Sequence, residues 1–286
     1  MSLASAAMLV TLKITQWSAR KLDRKVSDEL CDSKSAARSS ANVNKQLIPK
    51  KHLNKIQTLV NTIRNYHYVN TLAWEHKGSD ILPSARYFKY MGDMQQYKLE
   101  FNAAVEEFLT DYPIILQQVS TSLHDLYNVN DYPTVEQIRT KFLIDMSVSP
   151  IPTSGDFRID LEQKELSKLQ AELDSRMDIA RVAAETELFS RLYTVVAKAA
   201  LTLSDPIKVF RNSLILNIKE EAERAPDLNV NDNTDIQRIA ADLTKTCKGI
   251  DIAELRNQEQ PCYREIYRDK FKLVLTQLDT AHKQVV

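Results

Sequence analysis

Glycine is scarce in this chain. Only four glycines, Gly78, Gly92, Gly155 and Gly249, occur among 286 residues. Folds that hold phosphate in a glycine-rich loop, and β-sandwiches made of many tight turns, need more positions that accept unusual backbone angles. The sequence also lacks a Walker-type loop and the motifs Gly-x-Ser-x-Gly, Cys-x-x-Cys and His-Glu-x-x-His. The composition therefore argues against these fold classes.

The chain also has few cysteines, no long apolar run and a formal net charge of zero. The three cysteines, Cys31, Cys247 and Cys262, are widely spaced and odd in number, which indicates free thiols in a reducing compartment. No apolar stretch approaches the roughly 18 residues of a membrane span, and Met1 to Val10 lacks the basic start of a secretory signal. The 38 lysines and arginines balance 38 aspartates and glutamates, so no overall field attracts nucleic acid or membrane. We therefore expect a cytoplasmic protein that does not associate with membranes.

The clearest positive feature is a run from Glu162 to Leu203 that contains neither glycine nor proline. Its apolar residues recur at three- and four-residue spacing, which places them on one stripe of a helix. A helix of this length would extend about 63 Å, so part of it is expected to project and to need a partner. We predict a surface for self-assembly, in the manner of a coiled coil, at Leu173, Met177, Ala180 and Ala184. Antiparallel packing on another helix of the same chain, Ser84 to Thr110, would cover the stripe equally well.

Strand patterns are few. Apolar and polar residues alternate in Val10–Thr15 and Phe142–Val148, and a short third strand is indicated at Phe157–Leu161. The first two are the natural pair of a small antiparallel sheet. Because most of the remaining chain has helical periodicity, the sequence predicts a mainly α fold with this small sheet. We expect an N-terminal helical domain with the sheet at residues 1–155, followed by a long helix and a C-terminal helical module at residues 156–286.

Local signals indicate where the elements begin and end. The pattern of Trp17–Cys31 is helical, whereas Leu72–Pro83 is typical of a structured loop or a short hairpin. Thr134 is a good helix cap, and Gly249 marks a helix end.

Two prolines indicate helix boundaries. Pro113 follows Asp-Tyr and predicts that the helix beginning at Ser84 breaks there. Pro206 follows Ser-Asp and predicts that the long helix stops and that the next helix restarts at once, running to about Arg224.

The candidate chemistry is limited to one polar and aromatic cluster. Histidine, tyrosine and tryptophan side chains that could line a ligand pocket or stack on bases occur at Tyr66, His67, Trp74 and His76. The alternative is structural, with rings that cap the core where two helices meet. A paired histidine without a third ligand is weak support for a metal site. The sequence therefore predicts no catalytic residue, no metal site and no cofactor, and we expect the protein not to be an enzyme.

The N-terminal third is basic. From Lys13 to Lys55 there are eleven lysines and arginines against four aspartates and glutamates, whereas Asp160 to Glu187 has eight acidic and four basic residues. This asymmetry fits a solvated charged face, pairing within the fold or between subunits, or a surface that attracts nucleic acid. In the last case we expect contacts from Arg20, Lys21, Arg24 and Lys25.

Five segments resemble an uncharacterised domain family of bacteriophages and mobile elements. The resemblance spans roughly Val10 to Ala180 and is carried by Trp17–Lys25, Tyr66–Tyr68, Leu82–Phe88, Phe101–Pro113 and Gly155–Asp160. The family has no assigned activity, and its genes often lie beside those of a MoxR-type AAA+ ATPase and a von Willebrand A-type protein. The resemblance implies a phage protein in the cytoplasm of an infected bacterial host, with the ATPase as a partner, and it supplies no catalytic residues.

The sequence therefore predicts a non-enzymatic phage protein that acts through protein–protein contacts, as a scaffold, an adaptor or a homo-oligomer. The alternative function is nucleic-acid binding in phage replication or recombination through the basic N-terminal third.

Overall fold

The fold is mainly helical. The computed structural model describes residues 3–74, 78–153, 163–257 and 261–285. These residues form α1 (Leu3–Ala6), α2 (Arg24–Ser33), α3 (Asn54–Asn70), α4 (Tyr87–Leu123), α5 (Val135–Arg139), α6 (Gln163–Ser204), α7 (Ser213–Leu228), α8 (Thr234–Lys248), α9 (Ile252–Arg256) and α10 (Pro261–His282). The strands are β1 (Ala7–Thr15), β2 (Arg20–Leu22), β3 (Asn44–Gln46), β4 (Leu72–Ala73), β5 (Asp80–Pro83) and β6 (Leu143–Pro150). The predicted mainly α fold with a small antiparallel sheet is confirmed.

The main sheet has four strands in the order β4-β5-β1-β6. Strand β5 pairs antiparallel with β1, with Ala7 opposite Pro83, and with β4, with Leu72 opposite Ile81. Of the two alternatives for Leu72–Pro83, a structured loop or a short hairpin, the antiparallel pairing of β4 with β5 supports the hairpin. Strands β1 and β6 are neighbours, as the alternating patterns indicated. The predicted strand Phe157–Leu161 lies outside the described residues.

The chain forms two compact units that do not follow the predicted division between residues 155 and 156. Unit 1 is Met1–Thr11, Tyr68–Tyr90 and Ser147–Val286, and unit 2 is Leu12–His67 and Met91–Met146. The chain passes from one unit to the other within β1, α3, α4 and β6. In unit 1, β4 contacts α6 and β5 contacts α7. These contacts join residues far apart in sequence, so no local pattern reveals them.

Unit 1 has one hydrophobic core around α6. Helices α7 and α10 pack on α6, and α8 packs on α7. The core includes Ala184, Leu188, Leu192 and Ala199 of the long helix, none of them more than 1% exposed. The apolar stripe of α6 therefore packs within the chain, on α7 and α10 rather than on the helix predicted at Ser84 to Thr110.

Unit 2 has an aromatic core around α4. The ring of Trp17 lies 6.4 Å from that of Phe108 and 6.0 Å from that of Tyr112, measured between centroids. Phe142 packs on Phe101 and Phe108. These large buried rings stabilise α4 from one side along several turns.

Helix α4 runs through Pro113, so the predicted break there is wrong. A proline within a helix costs roughly 3 kcal/mol because it removes a hydrogen bond and crowds the preceding turn. On either side of Pro113, however, Leu109, Tyr112, Ile115 and Val119 are each at most 3% exposed. Burying such side chains contributes about 1.5–3 kcal/mol apiece, which outweighs the cost of the proline.

The prediction of a helix over Trp17–Cys31 is also wrong in its first part, because Arg20–Leu22 is strand β2. It pairs antiparallel with β3, with Arg20 opposite Gln46. The backbone N–H of Leu47 donates to the carbonyl of Ala19 at 2.8 Å and extends this ladder. Both strands carry mostly polar side chains. They therefore lack the alternation of apolar and polar residues from which a strand is predicted.

Two predicted helix ends are confirmed. Thr134 caps α5 with a full capping box, in which its hydroxyl accepts from the N–H of Gln137 and the Gln137 side chain accepts from the N–H of Thr134. Helix α8 ends at Lys248 and is followed by Gly249. The backbone φ of Gly249 is −88°, so its role does not depend on left-handed geometry.

Candidate interaction surface

The predicted self-assembly surface on α6 is buried in unit 1. Ala180 is 4% exposed and Ala184 is fully buried, and both belong to the core of the unit. Met177 packs partly against that core, and Leu173 is 8% exposed. Because this face already contacts its own chain, it is not free to receive a second copy, and the prediction is corrected accordingly.

The four predicted nucleic-acid contacts lie in unit 2 and differ in their environments. Lys21 Nζ lies 2.6 Å from Asp131 Oδ1, and Lys25 Nζ lies 3.9 Å from Glu29 Oε1. Within the described ranges, no ion pair links Arg20 or Arg24 to a carboxylate. Two of the four cations are thus partly neutralised by carboxylates of the same unit.

Asp131 anchors the basic region. Its side chain is 7% exposed and also accepts from Lys45 Nζ, itself 8% exposed. Burial raises the pKa of the Asp131 carboxyl, but the hydrogen bonds from Lys21 and Lys45 outweigh burial, so its pKa lies below the ordinary value of 3.8. Folding therefore favours the ionised carboxylate. Its ion pairs with Lys21 and Lys45 join β2 and β3 to the segment before α5.

This ion pair gives a pH-dependent prediction. A carboxyl whose folded pKa is depressed stabilises the fold above its unfolded pKa, and the contribution is lost as the pH falls through the folded value. Asp131→Asn should lower the free energy of unfolding by about 2 kcal/mol at neutral pH. The difference should vanish well below pH 3.8. Urea unfolding at both pH values measures this, with the exposed Asp125→Asn as the matched control.

The residues of the predicted aromatic pocket that the structure describes are divided between the two units. In unit 2, Tyr66 donates from its hydroxyl to Asp93 Oδ2 at 2.6 Å and packs on the ring of Tyr97, while His67 is 3% exposed. Trp74 belongs to unit 1, where it packs against the core. His76 lies outside the described residues. Tyr66 of α3 thus contacts α4 through both its ring and its hydroxyl, which fits the structural alternative of rings where two helices meet.

A different surface is formed by the segment 205–212, here called the apolar loop, which connects α6 to α7 in unit 1. The predicted immediate restart at Pro206 does not occur, since α7 begins at Ser213. The reason is Arg264 of α10, which is 5% exposed. Its guanidinium donates to the carbonyls of Thr202 at 2.8 Å, Leu203 at 3.2 Å and Lys208 at 3.0 Å, and also to that of Asp205. These bonds satisfy the end of α6 and hold the loop in a non-helical course.

Phe210 fixes the same loop from its inner side. Its ring is 9% exposed, and the guanidinium carbons of Arg256 and Arg264 lie 5.3 Å and 5.5 Å from its centroid. Arg256 also donates to the side-chain oxygen of Asn212 at 2.6 Å. Cation–π contacts of this kind contribute about 0.5–2 kcal/mol each. The loop is therefore held by two buried or stacked arginines rather than by regular structure.

The outer side of the apolar loop presents two large aliphatic side chains. Ile207 is 74% exposed and Val209 is 86% exposed. Leu201, in the last turn of α6, is 70% exposed. Single exposed apolar residues are ordinary, but two on a rigidly held segment form a preorganised contact, because little conformational entropy remains to be lost on binding. Lys208 and Arg211 are also exposed.

No sequence pattern indicates this surface directly. Ile207 and Val209 follow a proline and alternate with charged residues, a pattern that fits many loops. Arg264 lies 56 to 62 residues from the carbonyls that it binds. Pro206 was the one signal in the sequence. It indicates that the helix is interrupted, but not that Ile207 and Val209 are exposed there.

No match to a known protein family, to a curated protein or to a solved structure was found for this chain. In the part of the chain that the structure describes, no helix is long and apolar enough to cross a membrane. The same residues bring no group of three histidine, cysteine, aspartate or glutamate side chains together as a metal ion would require.

Proposed function

We propose that this is a non-enzymatic protein that acts through protein–protein contacts, and that it assembles with a second copy of itself through the apolar loop. The observation that carries the proposal is the exposure of Ile207 and Val209 on a loop that Arg264 and Phe210 hold in place. Neighbouring apolar side chains that are exposed together are a mark of protein–protein interaction sites.

A second copy suits this surface. In a contact across a twofold axis the same patch meets itself, so each Ile207 and Val209 would be covered by apolar groups of the other copy. The loop also carries both signs of charge, with Asp205 beside Lys208 and Arg211. A self-contact can therefore place opposite charges around an apolar centre, which is the common arrangement of interfaces.

The double variant Ile207→Asp, Val209→Asp tests the proposal. Four like charges would meet across a twofold contact, so the assembly should dissociate while the exposed positions leave the fold intact. Light scattering after gel filtration should give at least a dimer for the wild-type protein at tens of micromolar and a monomer for the variant. The far-UV circular dichroism spectra of the two proteins should agree, whereas the thermal midpoint of the wild-type protein should exceed that of the variant and rise with protein concentration, because association stabilises the folded state.

Ile179→Asp, Val182→Asp is the matched control, because these side chains lie on the exposed face of α6 at 62% and 42% exposure. This control should keep the wild-type mass. A monomeric wild-type protein would refute self-assembly through the loop. In that case a heterologous partner, such as the AAA+ ATPase implied by the resemblance, becomes the next candidate for co-purification with and without the loop substitutions.

Nucleic-acid binding through the basic third is less well supported. Lys21 and Lys25 already contact carboxylates, and the groove that they line with Arg24 and Lys45 contains four carboxylates as well. Such a mixed surface gives little net attraction for a phosphate backbone.

A further inference from the structure

Unit 2 contains a second cavity that differs from the mixed groove in its chemistry. It has a volume of about 460 Å³ and lies between the segment Gln16–Arg20, the start of α3 and Phe142. Cavities of roughly 300–1,000 Å³ are typical of small-molecule sites. This cavity is here called the acid-free pocket. Its lining residues belong to unit 2, whereas the apolar loop belongs to unit 1.

No carboxylate lines the acid-free pocket, although the chain has as many acidic as basic residues. Two cations do, Arg20 and Lys50, and both are exposed. Among the residues that the structure describes, neither is within ion-pair distance of an acidic group. Two cations without a local counter-ion produce a positive potential at the pocket, so an anionic group is the ligand part that fits them.

The floor of the pocket is apolar and partly aromatic. Trp17 and Phe142 are 9% and 8% exposed, and Ile48 and Ile56 are each 1% exposed. Trp17 is held by its ring contacts with Phe108 and Tyr112. The floor thus offers a rigid surface to a flat or apolar part of a ligand.

Amide side chains form much of the polar wall. Gln16, Gln46, Asn54 and Gln57 line the pocket. Gln16 donates to Gln57 Oε1 at 2.9 Å, and Gln46 donates to the carbonyl of Ile48 at 2.9 Å. These bonds orient the amides and leave further amide donors and acceptors for a ligand. Glutamine and asparagine are the side chains that pair with the edge of adenine.

The backbone at the pocket is strained. Ala19 has a φ of +50°, in the left-handed region that disfavours every residue with a Cβ. This conformation costs about 1–2 kcal/mol for alanine, and the bond from the N–H of Leu47 to its carbonyl holds it. Strain of this kind is concentrated at functional sites.

We propose that the acid-free pocket binds a nucleoside phosphate. The phosphate would be held by Arg20 and Lys50, and the ring system would lie on the Trp17 floor within reach of the amides. An aliphatic carboxylate would use the cations but not the aromatic floor or the amide wall. A free nucleotide and the phosphorylated end of a nucleic-acid strand share this chemistry.

Calorimetric titration with adenosine 5′-monophosphate tests the site. We expect saturable binding with a Kd below about 1 mM. Adenosine alone and inorganic phosphate alone should each bind at least about tenfold more weakly, because each lacks one half of the recognised group. In a Trp74→Phe variant, Trp17 is the only tryptophan left, and its fluorescence should change with the same Kd.

The pair Arg20→Gln, Lys50→Gln should weaken binding of the monophosphate at least about tenfold without affecting adenosine. Arg24→Gln, Lys25→Gln removes the same charge outside the pocket and should leave the Kd within about twofold. If a 5′-phosphorylated oligonucleotide competes with the monophosphate, the ligand is the end of a nucleic-acid strand. If it does not compete, the ligand is a free nucleotide. No saturable binding, equal binding of adenosine and its monophosphate, or an unchanged Kd in Arg20→Gln, Lys50→Gln would overturn the proposal.

Discussion

Ala184→Glu is expected to unfold unit 1 rather than to dissociate an assembly. Ala184 is fully buried in the core where α6 meets its own chain. A glutamate there overfills the site and buries an unpaired charge. The free energy of unfolding should fall by more than about 4 kcal/mol, a large share of the total stability of a typical domain. Thermal unfolding followed by circular dichroism measures the loss.

Ile179→Glu is the matched control on the same helix. Ile179 is 62% exposed, so the same new charge stays in water and should change stability by less than about 0.5 kcal/mol. A folded Ala184→Glu protein of reduced mass would show that this face of α6 meets a second chain, contrary to the packing on α7 and α10.

Arg264→Met is expected to have the next largest effect. It keeps the length and apolar stem of the side chain but removes the donors to four backbone carbonyls around the end of α6. Thr202 and Leu203 are buried, whereas Asp205 and Lys208 are exposed, so water can replace the bonds to the last two. Buried acceptors left without a donor cost about 1–3 kcal/mol each, so we expect a loss of about 3 kcal/mol. The Ile207 and Val209 surface should be lost with it, because the loop is no longer held.

Two further variants separate charge from geometry at this position. Arg264→Lys retains a cation but not the planar fork, so its stability should lie between those of the wild-type protein and Arg264→Met. Arg268→Met, one turn along α10, removes an arginine whose partner is the neighbouring Asp269 and should cost less than about 1 kcal/mol. Equal stability of Arg264→Met and Arg268→Met in urea unfolding would contradict the role given to Arg264.

Local patterns in the sequence were sufficient for elements that local interactions determine. The capping box of Thr134, the end of α8 before Gly249 and the alternation of β1 each depend on residues a few positions apart. The helical period of α6 was likewise readable, including the stripe with Ala184. The helices that cover this stripe could not be predicted, because α7 and α10 are adjacent to it only in the folded chain.

The interaction surface could not be predicted for the same reason. Arg264 binds loop carbonyls that lie 56 and 59 residues away, and Lys21 is neutralised by Asp131, which lies 110 residues further along the chain. Pro113 shows the converse case, in which a reliable local rule predicts a break and long-range burial of Tyr112 and Ile115 overrides it. Periodicity therefore indicated most of the helices and the strands β1 and β6, but not β2, whereas the surface at Ile207 and Val209 is defined only by the packing of distant residues.

Cysteine cross-linking can show whether the apolar loop meets the same loop of a second copy. In a Cys262→Ser background the remaining cysteines, Cys31 and Cys247, are buried. Val209→Cys should then form a disulfide-linked dimer rapidly under mild oxidation at tens of micromolar, because a twofold contact places the two thiols together. Ser175→Cys, exposed on α6, should remain monomeric under the same conditions. Cross-linking of Val209→Cys no faster than that of Ser175→Cys would show that the two loops do not meet.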